Sequence, residues 1–184
     1  MMPIIQLHHG LNGMEHLRNF EMSIATNSQE LLKERLSILE NPDSLSGAEL
    51  RSSLHAKQRM DAIKMIDSTL LSQAAKLLAQ NSVWQTPTLA LYNNFATREF
   101  LAENQMAELE KLPSELAEQW RAAMYPMRNI AIDPNADIAV YIRWMKKMVL
   151  YLHSNNVPFM AGTDTPIGYL IPGQSLHREL ELLV

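Results

Sequence analysis

Asp164 and His16 are the side chains best placed by the sequence to do chemistry. Asp164 ends the run Val157-Pro158-Phe159-Met160-Ala161-Gly162-Thr163. An apolar strand has no use for an acid, so a carboxylate at its tip points to a site. His16 follows Leu11-Asn12-Gly13-Met14-Glu15 in a second segment of the same form. Carboxylate and imidazole are side chains that hold divalent metals and transfer protons. The chain has no cysteine. That excludes disulfides, thiolate metal sites and a cysteine nucleophile, so any metal would be held by His, Asp, Glu or a modified lysine.

The elements that must position these tips are mostly helical. Ser28 to Glu40 carries Leu31, Leu32, Leu36 and Leu39 at helical spacing, with Asn27 and Glu30 as a capping box and Asn41-Pro42 as its stop. Ser46-Gly47-Ala48-Glu49 is a second capping box that opens a long helical stretch to about Gln80. Ser82 to Leu91 reads as a strand, with Pro87 at an end or an irregular step. Helices are expected over Thr97 to Lys111 and Ser114 to Met124. Asp133-Pro134 reads as the N-cap and first turn of an amphipathic helix. Its face is Ile138, Tyr141, Ile142, Met145, Val149 and Leu152, and Asn155-Asn156 ends it. The Asp164 strand follows, then a Pro/Gly turn and a last helix from about Ser175. Strands alternating with helices predict parallel pairing through crossovers.

The totals agree with a folded domain. The 184 residues suffice for one domain with a sizeable core, and 47% hydrophobic with 20% charged residues is a globular balance. A net charge of −4 with interspersed acids and bases argues against a nucleic-acid surface. No apolar run reaches the ~20 residues of a membrane helix. The start, Met1-Met2-Pro3-Ile4-Ile5-Gln6, lacks the pattern of a signal peptide, so a cytoplasmic location is the default expectation.

Four segments carry a family resemblance. Gly13-Met14-Glu15-His16-Leu17-Arg18-Asn19, Gln85-Thr86-Pro87-Thr88-Leu89, Ala161-Gly162-Thr163-Asp164-Thr165 and Pro172-Gly173-Gln174-Ser175-Leu176-His177-Arg178-Glu179-Leu180 resemble the amidohydrolase superfamily, in its imidazolonepropionase-like and prolidase-like branch of metal-dependent hydrolases. The resemblance runs from end to end and covers residues 1–184 as a partial hydrolase domain. It implies an α/β fold: strands six to eight of a TIM (β/α)8 barrel, helix-rich overall, with long helical insertions and metal ligands at the strand C-termini. His16 would end strand six and Asp164 strand eight.

The resemblance further implies hydrolysis of an amide, cyclic amide or peptide-like C–N bond in a small-molecule substrate by a metal-activated water. Asp164 matches the catalytic proton acceptor and a metal ligand, and His16 a metal-ligating imidazole. The implied cofactor is a divalent metal, zinc first. Arg18 and His177 are the candidate substrate contacts. The sequence departs from the family in having no His-x-His pair, since His8-His9 is adjacent, and no lysine before Lys33 for the strand-four position. From His16 to Asp164 is 148 residues, where two plain βα units take roughly 60. The ligand set is therefore incomplete, and the chain alone is expected to bind zinc weakly and to hydrolyse nothing. A barrel cannot close on three strands, so a homo-oligomer or a partner supplying the missing half is expected. The alternative is a non-catalytic helical module that binds a partner through its apolar faces.

Plainer readings stand beside these. Asp164 could be a loop or capping residue before Pro166, and His16 a packed core histidine. His177 could be an exposed helix residue, and Arg18 one half of a surface ion pair. Tyr169 and Trp84 read as packing residues, His55 and His153 carry no assigned chemistry, and the twelve methionines read as core filler.

Overall fold

The computed structural model describes residues 10–41 and 45–184. The readings of Met1 to Gln6, of His8-His9 and of Pro42 lie outside them. The chain divides into two compact units, residues 1–86 with 150–160 and residues 87–149 with 161–184.

The first unit holds the sheet. Strand β1 (Gly13–Glu15) pairs in parallel with β2 (Trp84–Thr86), Gly13 against Trp84 and Glu15 against Thr86. On the other side of β2, Phe159 makes a parallel bridge to Gln85. The Gln85 N–H donates to the Pro158 carbonyl (2.9 Å), and the Met160 N–H donates to the Gln85 carbonyl (2.8 Å). The expected parallel pairing is thus present, in chain order, with β2 in the middle. The extent differs from expectation: Val157 to Asp164 contributes one bridge rather than a strand.

Between β1 and β2 lie α1 (Phe20–Ser23), α2 (Ser28–Glu40), α3 (Gly47–Ile63) and α4 (Ser68–Gln80). Met22, Ala25, Leu31 and Ala62 form a buried cluster among them. The α2 boundaries are those read from the leucine spacing. The long helix expected to Gln80 is instead two. At the break, Ala25 bridges Ile66, the Thr26 N–H donates to the Met65 carbonyl (2.8 Å), and the Asp67 N–H donates to the Ile24 carbonyl (2.8 Å). These tertiary bonds replace helical ones. Asp67 then caps α4, its Oδ1 accepting from Thr69 N (2.7 Å) and Leu70 N (2.8 Å). Neither expected capping box forms, for the side chains of Asn27 and Ser46 make no cap hydrogen bond. Asn27 has φ −90° and ψ 16°, off the extended geometry a cap needs, and its amide donates to the Asp61 carbonyl.

The second unit holds α5 (Leu89–Thr97), α6 (Glu103–Glu108), α7 (Ser114–Met124), most of α8 (Asp137–Ser154) and α9 (Gln174–Leu183). Leu89 to Leu91, read as strand from an apolar run, is the first turn of α5. The chain turns at Thr88, which has φ 53°. Thr97 to Lys111 is not one helix, because Arg98 adopts φ 55° and the segment continues as 3-10 turns around the short α6. Asp133 does not cap α8 directly. Its carboxylate accepts from Asn135 N (2.8 Å) in a turn two residues before the helix begins. The end of α8 is as expected: Asn156 takes φ 63°, and the Val157 N–H closes back on the Leu152 carbonyl (3.1 Å).

Phe100, Leu109, Ala117, Met124 and Ile171 form one core cluster of this unit, with Trp120 and Tyr169 against it. Ala90, Leu91 and Leu170 form another. The turn feeding α9 depends on Gly168. Its φ is +65°, and a Cβ there would sit 2.7 Å from Leu91 Cδ1 and 2.9 Å from Phe95 Cζ, so any other residue strains the backbone and displaces those side chains. Helix dominates among the described residues and strand is minor. No described helix is long and apolar enough to cross a membrane.

Candidate functional site

His16 is the first residue after β1. Its N–H donates to the Thr86 carbonyl (2.8 Å), which extends the parallel ladder to the strand tip. The chain then turns sharply, with φ 62° at His16, 46° at Leu17 and 62° at Asn19. Left-handed backbone is tolerable for His and Asn but uncommon for Leu. Leu17, fully buried, anchors the turn. The His16 ring is nearly buried, and its Nε2 lies 3.9 Å from Oε2 of the exposed Glu15. The plain reading of His16 as a buried histidine therefore describes its environment.

Asp164 belongs to the second unit. Asp164 is exposed, with φ 57°. Its carbonyl accepts from Ile167 N (3.1 Å). The neighbouring threonines shape the loop: Thr163 Oγ1 accepts from Thr165 N (3.4 Å), and the Thr165 hydroxyl donates to the Leu170 carbonyl (2.6 Å). Left-handed, non-glycine backbone occurs at His16 directly after β1, at Thr88 two residues after β2 and at Asp164 five residues after the Phe159 bridge, as it does at Leu17, Asn19, Ser82, Arg98, Asn156 and Tyr169. Such conformations cost about 1–3 kcal/mol each and concentrate at functional sites.

Arg18 lies in the first unit, with its Nε buried and without a hydrogen-bond partner among the described residues. It is one of several arginines around two titratable groups. Glu21 is fully buried, and burial pushes its carboxyl up to about 7, against its own backbone N–H and the opposing pull of Arg59, Arg35 and Arg18. Burial pushes the His55 imidazole down to about 4, and Arg35, Arg18, Arg59 and Arg51 add to that shift. This imidazole is neutral at physiological pH.

His177 is exposed on α9 and lines an open cleft of about 330 Å³ in the second unit with Glu99, Asn104, Gln105 and Arg178. Arg178 is clamped by Glu99, Nε to Oε2 at 3.0 Å and Nη2 to Oε1 at 2.6 Å. The clamp continues inward: Asn93 Nδ2 donates to Glu99 Oε1 (2.7 Å), and Lys146 Nζ donates to Asn93 Oδ1 (2.9 Å). Burial lowers the Lys146 ammonium, with Arg178 adding to the effect and Glu99 opposing it. The next residue of α9 after Arg178, Glu179, is completely buried and accepts from Leu89 N (3.0 Å) and Ala90 N (2.6 Å) at the start of α5.

Sequence reasoning singled out none of Glu21, Glu99 and Glu179. Glu179 shares the buried side of α9 with Ser175, a pair whose polar types do not announce a core face in the sequence. The arginine group had no signal either, because its members come from different elements.

A catalytic zinc typically takes three protein ligands. Among the described residues, no three His, Cys, Asp or Glu side chains come together as a possible metal centre. No protein-family model, curated protein or solved structure matches the chain.

Proposed function

We propose that this chain contributes the last part of a metal-dependent hydrolase of amidohydrolase type, acting on C–N bonds. In this reading β1, β2 and the Phe159 segment correspond to barrel strands six to eight. His16 and Asp164 serve as metal ligands, and Asp164 also as proton acceptor. Arg18 and His177 contact a small-molecule substrate. Ligands outside the described residues complete the centre, and the isolated chain is inactive.

One observation carries the reading. Three segments follow one another in the chain, are neighbours in the same order, run parallel, and are joined by helical connections. That is the arrangement of consecutive strands in a (β/α)8 barrel. A chain completed by other elements also accounts for Trp84 of β2 and for Met160 after the Phe159 bridge, large apolar residues that stand nearly half exposed.

Zinc affinity of the full chain tests the proposal, measured by competition with a weak chromogenic chelator. Weak binding is expected, falling about tenfold or more in both His16→Ala and Asp164→Asn, as loss of a ligand requires. Affinity unchanged in either variant defeats the assignment of that residue. Near-stoichiometric zinc retained after dialysis against a mild chelator defeats the claim that the centre is incomplete.

A further inference from the structure

Helices α2 and α3 of the first unit enclose a groove of about 360 Å³ lined by Arg35, Leu39, Leu50, Arg51, Leu54 and His55, together with Gly47. Its walls have two characters. Leu39, Leu50 and Leu54 make an apolar trough, and Leu36 and Leu39 on α2 are about half exposed (52% and 49%). Arg35, Arg51 and His55 supply the polar side.

The Arg35 guanidinium is fixed in place by neutral groups. Arg35 Nε donates to Gln58 Oε1 (2.7 Å), and its Nη1 donates to Asn19 Oδ1 (2.8 Å). Both acceptors are neutral amides. They orient the guanidinium without cancelling its charge. Gln58 is itself fixed: it is fully buried, and its amide donates to the Leu31 carbonyl (2.8 Å) and, at 3.4 Å, to Glu34 Oε2. Arg51 is exposed and has no carboxylate partner among the described residues. Arg18 and Arg59 add to the same field, since both act on His55. The acids of this group are Glu21, whose burial favours its neutral form, and Glu34, which reaches Gln58. His55 Nδ1 is buried and without a partner among the described residues.

We propose that this groove binds a small organic anion with an aliphatic body, its carboxylate on Arg35 and Arg51 and its chain along Leu39, Leu50 and Leu54. A guanidinium held by neutral amides keeps its attraction for an incoming carboxylate. The leucines distinguish such a ligand from a compact inorganic anion, which would leave the trough uncovered and wet. His55, neutral at physiological pH, donates or accepts a hydrogen bond there without adding to the charge.

Titration calorimetry of the full chain with sodium decanoate is the test, with 1-decanol and inorganic phosphate as the other arms. The expected result is saturable one-to-one binding of decanoate, accompanied by a higher melting temperature and movement of the His55 ring signals in NMR spectra. Decanol and phosphate are each expected to bind at least tenfold more weakly. Arg51→Gln, a change at an exposed position whose folding circular dichroism checks, should weaken decanoate binding about tenfold and leave decanol unchanged. Equal binding of decanol overturns the role of the charge. Equal binding of phosphate overturns the role of the trough. No decanoate binding at millimolar concentration, or full affinity in Arg51→Gln, overturns the site.

Discussion

Each unit buries one glutamate, and the two are treated in opposite ways. Glu179 meets two backbone N–H groups at the start of α5. It satisfies donors that a helix start leaves orphaned and sits at the favourable end of the helix dipole. Glu21 meets cations at a distance, and one of its oxygens has no hydrogen-bond partner among the described residues. Burial raises both carboxyls. For Glu179 the bonds from Ala90, Leu89 and Thr88 oppose that rise directly. For Glu21 the arginines only moderate it. A carboxylate in direct hydrogen bonds fastens a structure, whereas one bathed in diffuse positive potential leaves charge available for something else.

The largest effect is expected where the fastening is direct. Glu179→Ala leaves the Leu89 and Ala90 N–H groups buried and unpaired. Hydrogen bonds to charged groups are worth ~1.5–3 kcal/mol, so the loss is about 3 kcal/mol in urea unfolding. Glu179→Gln keeps one acceptor oxygen and should lose less than half of that. A loss below about 1 kcal/mol for the alanine variant would mean that the α5 turn does not depend on this carboxylate.

Glu21 sharpens the comparison through pH. Its folded value of about 7 lies above its ordinary 4.5, so the folded protein holds a proton that the unfolded chain has released. Its contribution is fully present below 4.5 and is lost as pH rises through about 7, at no more than ~1.4 kcal/mol per pH unit. His55 runs the other way. Its folded value of about 4 lies below 6.5, so its contribution is present above 6.5 and is lost as pH falls through about 4. Over the shared window, from about 4.5 to 6.5, the slopes of these two groups oppose and largely cancel. Glu21→Gln should expose the His55 slope, with stability falling on acidification, and should raise stability by ~1 kcal/mol at pH 8. His55→Gln should expose the Glu21 slope, with stability falling as pH rises. Urea midpoints measured across pH for the three proteins decide it. Parallel profiles would mean that neither buried group titrates as its surroundings require.

These pairs also mark what the sequence reveals. Leucine spacing from Ser28 to Glu40 and the Asn155-Asn156 stop are local signals, and the structure follows them. Leu89 to Leu91 misleads because a short apolar run suits a strand or a helix equally. The helix is chosen there by Glu179, 90 positions from Leu89 in the chain. The break between α3 and α4 has the same origin, in bonds from Thr26 and Ile24 that no window around Met65 contains. Of the candidate site, Asp164 is legible as a polar residue after an apolar run, and His16 through the Gly13-Met14-Glu15-His16 segment. Their left-handed backbone is not, since neither type demands it. The arginine group was invisible, because Arg18, Arg35, Arg51 and Arg59 are brought together only when the turn after β1 packs with α2 and α3.

The smallest effect is expected at Glu99, where direct bonds and exposure coincide. Its carboxylate holds Arg178 at 2.6 and 3.0 Å, with side chains 31% and 36% exposed. The bond to Glu99 raises the Arg178 guanidinium, as an ion pair should. Water screens such a pair, and side-chain ordering offsets part of its attraction. In Glu99→Gln the amide oxygen still accepts from Asn93 or Arg178, so one donor at most loses its acceptor. The expected loss is ~0.5 kcal/mol at low salt, shrinking further in 1 M sodium chloride as the Debye length falls to about 3 Å. A loss above 2 kcal/mol that persists in high salt would place Glu99 with Glu179, as a buried fastener rather than a surface clamp. The contrast between the units would then rest on Glu21 alone.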